Sequence, residues 1–406
     1  MPIVASREIS SAQEEFVVVR TSDRMLFKRC RRLWGWTSHL KMGLQIKEQP
    51  DYFWFGTGIH YALEDYHGIN KYGHPGKAFL AYVEATRRSG AAPPTWNDLQ
   101  PLGLTMMSYY ADYWLQTRDP LQTFLVGGKP QLEIHGYIDL GIKHRGKRVV
   151  YGFTMDRMIE DEHGILHVAE YKSYKSFQWF HLDTDEQCTA YCACASKLYN
   201  RPALGVYYYQ FLKRAPALPK VLANGTISTN TAQATTAALY RRMLCDVFGT
   251  VERSPAPNRK CLQALTVEET EDQDRFIRRE HIERNQTQLD TFWERIMLEL
   301  EDILDEDLPL YPNQTRDCSW SCPLQAACIA IESGADYEDA LRSYAQRPTI
   351  EVPDQTAWRK YLPKQVQLPA EAEIYQQLMQ EVEKGGAPDT WEPQMSPEEA
   401  FLSELY

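Results

Sequence analysis

The sequence has no run of about 18 apolar residues, which excludes a membrane-spanning helix, and no membrane partner is expected. Its opening residues, MPIVASREISSAQEE, lack the basic-then-apolar order of a secretory signal, so a cytoplasmic location is expected. No internal repeat and no low-complexity tract is present, which excludes solenoids and fibrous arrays. A basic excess is also missing: 44 Lys and Arg stand against 55 Asp and Glu, for a net charge of −11. That total argues against nucleic acid, but the distribution does not. Between Ile329 and Tyr406 there are 15 acidic and 6 basic residues, so the acidity sits at one end. The nearly neutral remainder carries basic clusters, KRCRR (28–32) and KHRGKR (143–148), that could meet phosphates.

What is present is enough chain, 406 residues, for a large core. Helical periodicity is expected near 57–88 and 100–118, followed by strand-like runs at 131–142, 148–159 and 165–172. A helix at about 183–199 and a buried strand, ALGVYYYQFLK (203–213), come next. Residues 214–260 read as an inserted, partly irregular excursion around one helix, and 274–304 as one long amphipathic helix. The switching of period predicts an α/β fold, a mixed central sheet flanked by helices. Two units follow: residues 1–329 as the body and 330–406 as an acidic tail of short helices and loops.

The chemistry concentrates in HVAEYKSYKS (167–176). In a strand, Glu170 and Lys172 share one face, with the Tyr171 backbone carbonyl between them. The plainest account is an exposed ion pair worth a fraction of a kcal/mol, about 0–1. Asp156, in YGFTMDRM, changes the balance, since it lies one hairpin away from Glu170. Two carboxylates on adjacent strands plus a carbonyl make a hard oxygen site suited to Mg²⁺ or Mn²⁺. Lys172 beside it could orient water or balance transition-state charge. His60, in FGTGIHYALED, could add a nitrogen ligand, and Gln187 and Tyr191 in EQCTAYCA stand four apart on one helical face.

Nine cysteines in a cytoplasmic chain argue against a disulfide framework. Cys188, Cys192, Cys194, Cys245 and Cys261 fall in helix- or strand-like interiors, where Cys acts as a small hydrophobe. Cys318, Cys322 and Cys328 differ, forming a C-x3-C-x5-C cluster in a turn-rich setting.

In order, His60, Asp156, Glu170-x-Lys172 and Gln187-x3-Tyr191 resemble the RecB-type branch of the PD-(D/E)XK nuclease superfamily. LFKRCRRLW with Cys30, together with the later cysteine trio, resembles the iron–sulfur members of that branch, the CRISPR-associated Cas-four type. The resemblance covers about residues 22 to 330. It implies a restriction-endonuclease-like core and metal-dependent cleavage of DNA, single-stranded or end-bearing duplex, with His60, Asp156, Glu170 and the Tyr171 carbonyl as metal ligands. It assigns Lys172, Glu170, Asp156, Gln187 and Tyr191 to catalysis, and Cys30, Cys318, Cys322 and Cys328 to a 4Fe-4S clasp joining the chain's two ends. Four thiolates suit zinc as well as an iron–sulfur cluster; the resemblance favours iron. It further implies recombination, helicase or CRISPR adaptation proteins as partners. Family members often carry a glycine two residues nearer the metal-binding Asp than Gly152 lies to Asp156, which predicts an irregularity in that strand. Two rival readings are a non-catalytic nucleic-acid-binding adaptor that keeps the fold, and a zinc-stapled structural protein.

Overall fold

The computed structural model describes residues 16–45, 50–117, 121–178, 181–214, 216–270, 275–342, 344–346, 357–364 and 366. Much of the expected acidic tail, residues 367–406, lies outside them.

The chain opens with β1 (Phe16–Arg20), α1 (Thr21–Arg29), α2 (Arg31–Thr37) and the short β2 (Leu44–Gln45). Three helices follow: α3 (Asp51–His67), α4 (Pro75–Ser89) and α5 (Trp96–Thr117). The single helical stretch expected over 57–88 is therefore broken in two. Asp65 turns the chain by accepting from the Lys71 and Tyr72 amides at 3.0 and 3.2 Å, and His74 caps α4 just before Pro75.

Short strands β3 (Gln122–Thr123), β4 (Leu125–Val126) and β5 (Lys129–Pro130) lead into the long hairpin of β6 (Leu132–His144) and β7 (Lys147–Glu160), then β8 (Leu166–Tyr174). These last three match the expected strands. α6 (Glu186–Tyr199) and β9 (Ala203–Leu212) complete the central unit. The excursion that follows holds two helices rather than one, α7 (Ala237–Phe248) and α8 (Ala256–Thr270), with a small core of their own around Tyr240, Leu244 and Leu262.

The long helix expected over 274–304 is half strand. β10 (Ile277–Glu283) pairs antiparallel with β9, and only Gln286–Ile303 form the helix, α9. An Asn285–Gln288 capping box sets its start, so edge pairing wins over the helical look of DRFIRREHIE. Last come α10 (Cys318–Ser321), α11 (Gln325–Glu332), α12 (Tyr337–Leu341) and β11 (Ala345–Gln346).

The seven-stranded sheet runs β1-β7-β8-β9-β10, with β6 and β3 also on β7. α6 and α9 cover one face through Cys188, Cys192, Phe292 and Ile296; α3, α4 and α5 cover the other through Phe55, Ile59, Phe79 and Met107. β8 is buried on both faces from Leu166 to Tyr171, as a central strand in a three-layer fold should be. The mixed α/β architecture fits the expected restriction-endonuclease-like core.

The two ends of the described chain meet. Leu33, Trp36 and Leu44 pack with Leu324, Ala327 and Leu341, and β2 pairs with β11. Residues beyond 330 also reach the body: Trp358 is buried, edge-on to Tyr61 at 5.1 Å and Tyr82 at 4.6 Å. Charge alone gave no sign of this packing.

Candidate active site

β7 carries neighbours on both sides. β6 runs along one side; on the other, β1 covers Arg148 to Gly152 and β8 begins only at Arg157. Asp156 sits in the gap between β1 and β8. Here the strand's alternation breaks, because Met155 and Met158, three apart, share the core beneath α6. The irregularity expected from the glycine spacing is present at Asp156.

Across that gap, three carboxylates fall into one row. Leu132 pairs with Arg157 and Ile134 with Met155, which sets Glu133 opposite Asp156. One step beyond the Arg157–Ala169 pair, Glu170 follows on β8. Glu133 has a φ of +43°, a left-handed backbone that costs a non-glycine residue about 1–2 kcal/mol. The reading from sequence missed it. The hairpin turn by itself would set His135 opposite Asp156, but a register shift between Asp139 and Lys143 moves β6 by two residues. That bulge is built by Gly141, at φ +75°, whose amide donates to Asp139 Oδ1 at 2.9 Å. The left-handed φ of Glu133 becomes visible only in three dimensions.

His60 projects from the middle of α3, and its Nδ1 lies 3.3 Å from both Asp156 Oδ1 and Glu133 Oε1. His60, Glu133 and Asp156 each bring one ligand atom within 4.8 Å of the others, a group that can hold a metal ion. Asp156 Oδ2 accepts from the Tyr171 amide at 2.8 Å. Glu170 is buried with the Lys172 ammonium against Oε1 as its ion partner, while Oε2 is buried with no hydrogen-bond partner among the described residues. A buried carboxylate oxygen without a donor suits the coordination of a cation.

The electrostatics separate the two acids. Burial opposes the charge of Asp156, but His60, Lys172 and the Tyr171 amide outweigh it and hold the carboxyl below its ordinary range. Burial, then the neighbouring Asp156 charge, pushes Glu170 up to about 8 against the pull of Lys172 and His60. His60 is held well above its usual value, since Asp156 and Glu133 overcome the burial that disfavours its charge. Burial likewise disfavours the Lys172 charge, yet Glu170 and Asp156 raise that group.

Gln187 and Tyr191 meet on α6 as expected, with Gln187 Nε2 donating to the Tyr191 hydroxyl at 2.6 Å. Burial raises that hydroxyl well above its usual value, and the fields of Glu170 and Asp156 add to the effect, which brings Tyr191 to the site. Arg24, fully buried, donates to Glu186 and Glu299 at 2.6 Å each and so ties α1 to the start of α6 and to α9. Arg157 anchors the row from beneath through Thr123, Tyr171 and the Leu121 carbonyl.

Cys30, Cys318, Cys322 and Cys328 are brought together around one cavity of about 250 Å³, with Leu33, Trp36 and Ile329 in its walls. Cys30 stands between α1 and α2, and its sulfur accepts from the Leu33 and Asn313 amides at 3.5 and 3.4 Å; Arg32 donates to Cys328 at 3.4 Å. Burial, then the nearby Cys318 thiol, raises Cys322. Among the described residues, only the His60 group brings three ligand atoms within 4.8 Å of one another. Of the other cysteines, Cys188, Cys192, Cys194 and Cys261 are buried as expected, whereas Cys245 is exposed.

No helix among the described residues is long and apolar enough to cross a membrane. No curated protein matches the chain. The family profile described as the PD-(D/E)XK nuclease superfamily matches residues 22–329, a span that holds the carboxylate row, His60, Lys172 and all four cavity cysteines. Members of that superfamily hydrolyse nucleic-acid phosphodiesters with divalent metals, and the chain belongs to it.

Proposed function

We propose that the chain is a metal-dependent DNA exonuclease of the RecB-like, Cas-four type, acting in the cytoplasm on single strands or end-bearing duplexes. The observation that carries this reading is the row Glu133–Asp156–Glu170 with His60 at one end and Lys172 at the other. His60, Asp156, Glu170 and Glu133 would hold Mg²⁺ or Mn²⁺. The Tyr171 carbonyl would join them, since the amide and carbonyl of one strand residue leave on the same side. When bound, such an ion polarises the scissile phosphate and lowers the pKa of a water.

The chain's own groups prepare for this. Asp156, kept charged, is a ready acceptor, while Glu170, held up by burial, gives up its proton when positive charge arrives. Lys172 keeps an ammonium beside the reacting phosphate, where negative charge grows during cleavage. Tyr191, oriented by Gln187, offers a hydroxyl to a phosphate or water on the same side.

Cys30, Cys318, Cys322 and Cys328 would hold a 4Fe-4S cluster, a reading supported by their shared cavity and the amide donors to Cys30. Its place between α2 and α10–α11 suits a structural clasp. Recombination, repair or CRISPR-type processing, alongside helicase or adaptation proteins, is the setting that such chemistry serves. Residues 1–329 would form the nuclease unit, with 214–260 an insertion and 330–406 an appended acidic region.

The test is digestion of end-labelled linear and covalently closed circular DNA with Mg²⁺, Mn²⁺ or EDTA. Progressive shortening of linear strands alone, abolished by EDTA, is expected. Cutting of circles at the same rate would overturn the exonuclease reading, and no cutting in either metal would overturn the enzymatic one.

A further inference from the structure

The helix that carries His60 also carries an exposed aromatic pair at its start. Tyr52 and Phe53 are 53% and 54% exposed, and their rings lie 4.5 Å apart at the start of α3. The neighbouring aromatics, Trp54 and Phe55, turn inward to Tyr82 and Phe79 at 5.4 and 5.9 Å. Phe53 and His60 are seven residues apart, almost two full turns, so they share one helical face about 10.5 Å apart.

Among the described residues, the face between them is open. Gly56 lies on it, and a Cβ added there would meet nothing within 4 Å. Thr57 is exposed and folds its hydroxyl back onto the Phe53 carbonyl at 2.9 Å, which keeps the surface low. Beyond His60 the same face is closed by Glu64, which pairs with Arg359 at 2.7 Å. The stripe thus has an aromatic at its open end, only Gly56 and the folded-back Thr57 at its middle and a candidate metal ligand near its closed end.

We infer that this face of α3 is a binding site for unpaired nucleobases, with Phe53 as a stacking platform about three nucleotides, at stacked spacing, from the carboxylate row. The inference rests on the nuclease reading and narrows its substrate. Bases inside a duplex already stack on both faces, so only a single strand or a frayed end can lay a base on Phe53. The open and closed ends bring the strand in over Phe53 and stop it at His60.

The test uses the full chain in EDTA, which holds back cleavage, with a fluorescent single strand of mixed sequence and the matching blunt duplex. One base–aromatic stack corresponds to roughly 5- to 150-fold in affinity. Phe53→Ala should weaken single-strand binding within that range and change duplex binding by less than about twofold, Phe53→Trp should restore it, and Gly56→Glu should weaken it by filling the track with a like charge. Phe53 is exposed, so the melting temperature of Phe53→Ala should match wild type. Single-strand binding within about twofold of wild type in Phe53→Ala, equal loss on the duplex, or no single-strand binding by the wild type would overturn the site. A wild-type chain that binds single strands through Phe53 yet cuts nothing with Mg²⁺ or Mn²⁺ would leave the site standing and end the nuclease reading. Cleavage with unchanged Phe53→Ala binding would do the reverse.

Discussion

The carboxylate row and the cysteine cavity are built in opposite ways. Glu133, Asp156 and Glu170 are held by strand pairing within one hairpin and its neighbour, and His60, Lys172 and the Tyr171 amide already partner all three. The cysteines come from segments far apart in the chain, sit half-buried at helix ends and within α11, and line one cavity. A site made by register keeps its geometry with its own ion pairs. A site made by distant segments draws part of its stability from whatever fills it. Losses at the first should therefore appear in catalysis, and losses at the second in folding.

The largest expected effects test that division directly. Asp156→Ala and Glu170→Ala should abolish cleavage and weaken metal binding by calorimetry. Lys172→Ala should keep metal but lose cleavage by about a hundredfold or more, as for one preorganised electrostatic group. All three should retain the visible absorption expected of an iron–sulfur protein. Cleavage at the wild-type rate in Lys172→Ala and Glu170→Ala would reduce HVAEYKSYKS to a salt bridge.

Cys30→Ala is the counterpart. It should bleach the protein and lower its melting temperature by about 4 °C, the loss of a few kcal/mol in a chain of this size. Zinc without iron or labile sulfide in the wild type, or an unchanged melt in the variant, would break the comparison from the cysteine side. The Arg24 link to Glu186 and Glu299 gives the two regions one mechanical connection, so some loss of activity should accompany unfolding at the clasp.

Trp358 extends the comparison to the acidic region. Its composition suggests that everything after Ile329 could be removed without harm, yet the Trp358 ring fills the space beside Tyr61 and Tyr82 and Arg359 pairs with Glu64. Trp358→Ala should cost about 3–5 kcal/mol of stability by removing a buried aromatic. A change under about 1 kcal/mol would return the segment to the status of a peripheral tail.

What could be read in the sequence follows the same line. β7, β8 and β9 were legible because their apolar runs are long and buried, and Asp156, Glu170, Lys172, Gln187 and Tyr191 were legible because they stand at fixed offsets on those elements and on α6. Glu133 was hidden by a two-residue register shift, since no local pattern announces where a bulge falls. β10 was hidden by tertiary pairing, which overrides the charged, helix-like IRREHIE. Trp358 was hidden because its partners on α3 and α4 are remote in sequence.

Glu133 supplies a prediction in which one position answers two questions. Glu133→Gly removes the left-handed penalty and should stabilise the metal-free fold by up to about 1 kcal/mol in urea melts. Glu133→Gln keeps the strain and loses the charge, so it should not stabilise. Both should weaken metal binding, and less than Asp156→Ala does, because Asp156 remains. Metal affinity equal to wild type in both variants would remove Glu133 from the ligand set.

The smallest effect concerns the proton on Glu170. An ordinary Glu carboxyl titrates near 4.5, and burial with Asp156 nearby moves this one to about 8 in the folded chain. Between those values the folded state holds a proton that the unfolded chain has released, so this group's contribution to stability falls as pH rises through the window. The metal-free wild type should melt lower at pH 8 than at pH 5.5. Glu170→Gln has no proton to lose, so its melt should exceed that of wild type at pH 8, with the gap closing at pH 5.5. A bound divalent cation favours the ionised carboxylate, so Mg²⁺ should raise the wild-type melting temperature more at pH 8 than at pH 5.5 and do little for Glu170→Gln. A wild-type melt that rises from pH 5.5 to 8 in parallel with Glu170→Gln, with no added metal response, would mean that Glu170 is an ordinary carboxylate balanced by Lys172 and would return the pair to the plain ion pair of the sequence.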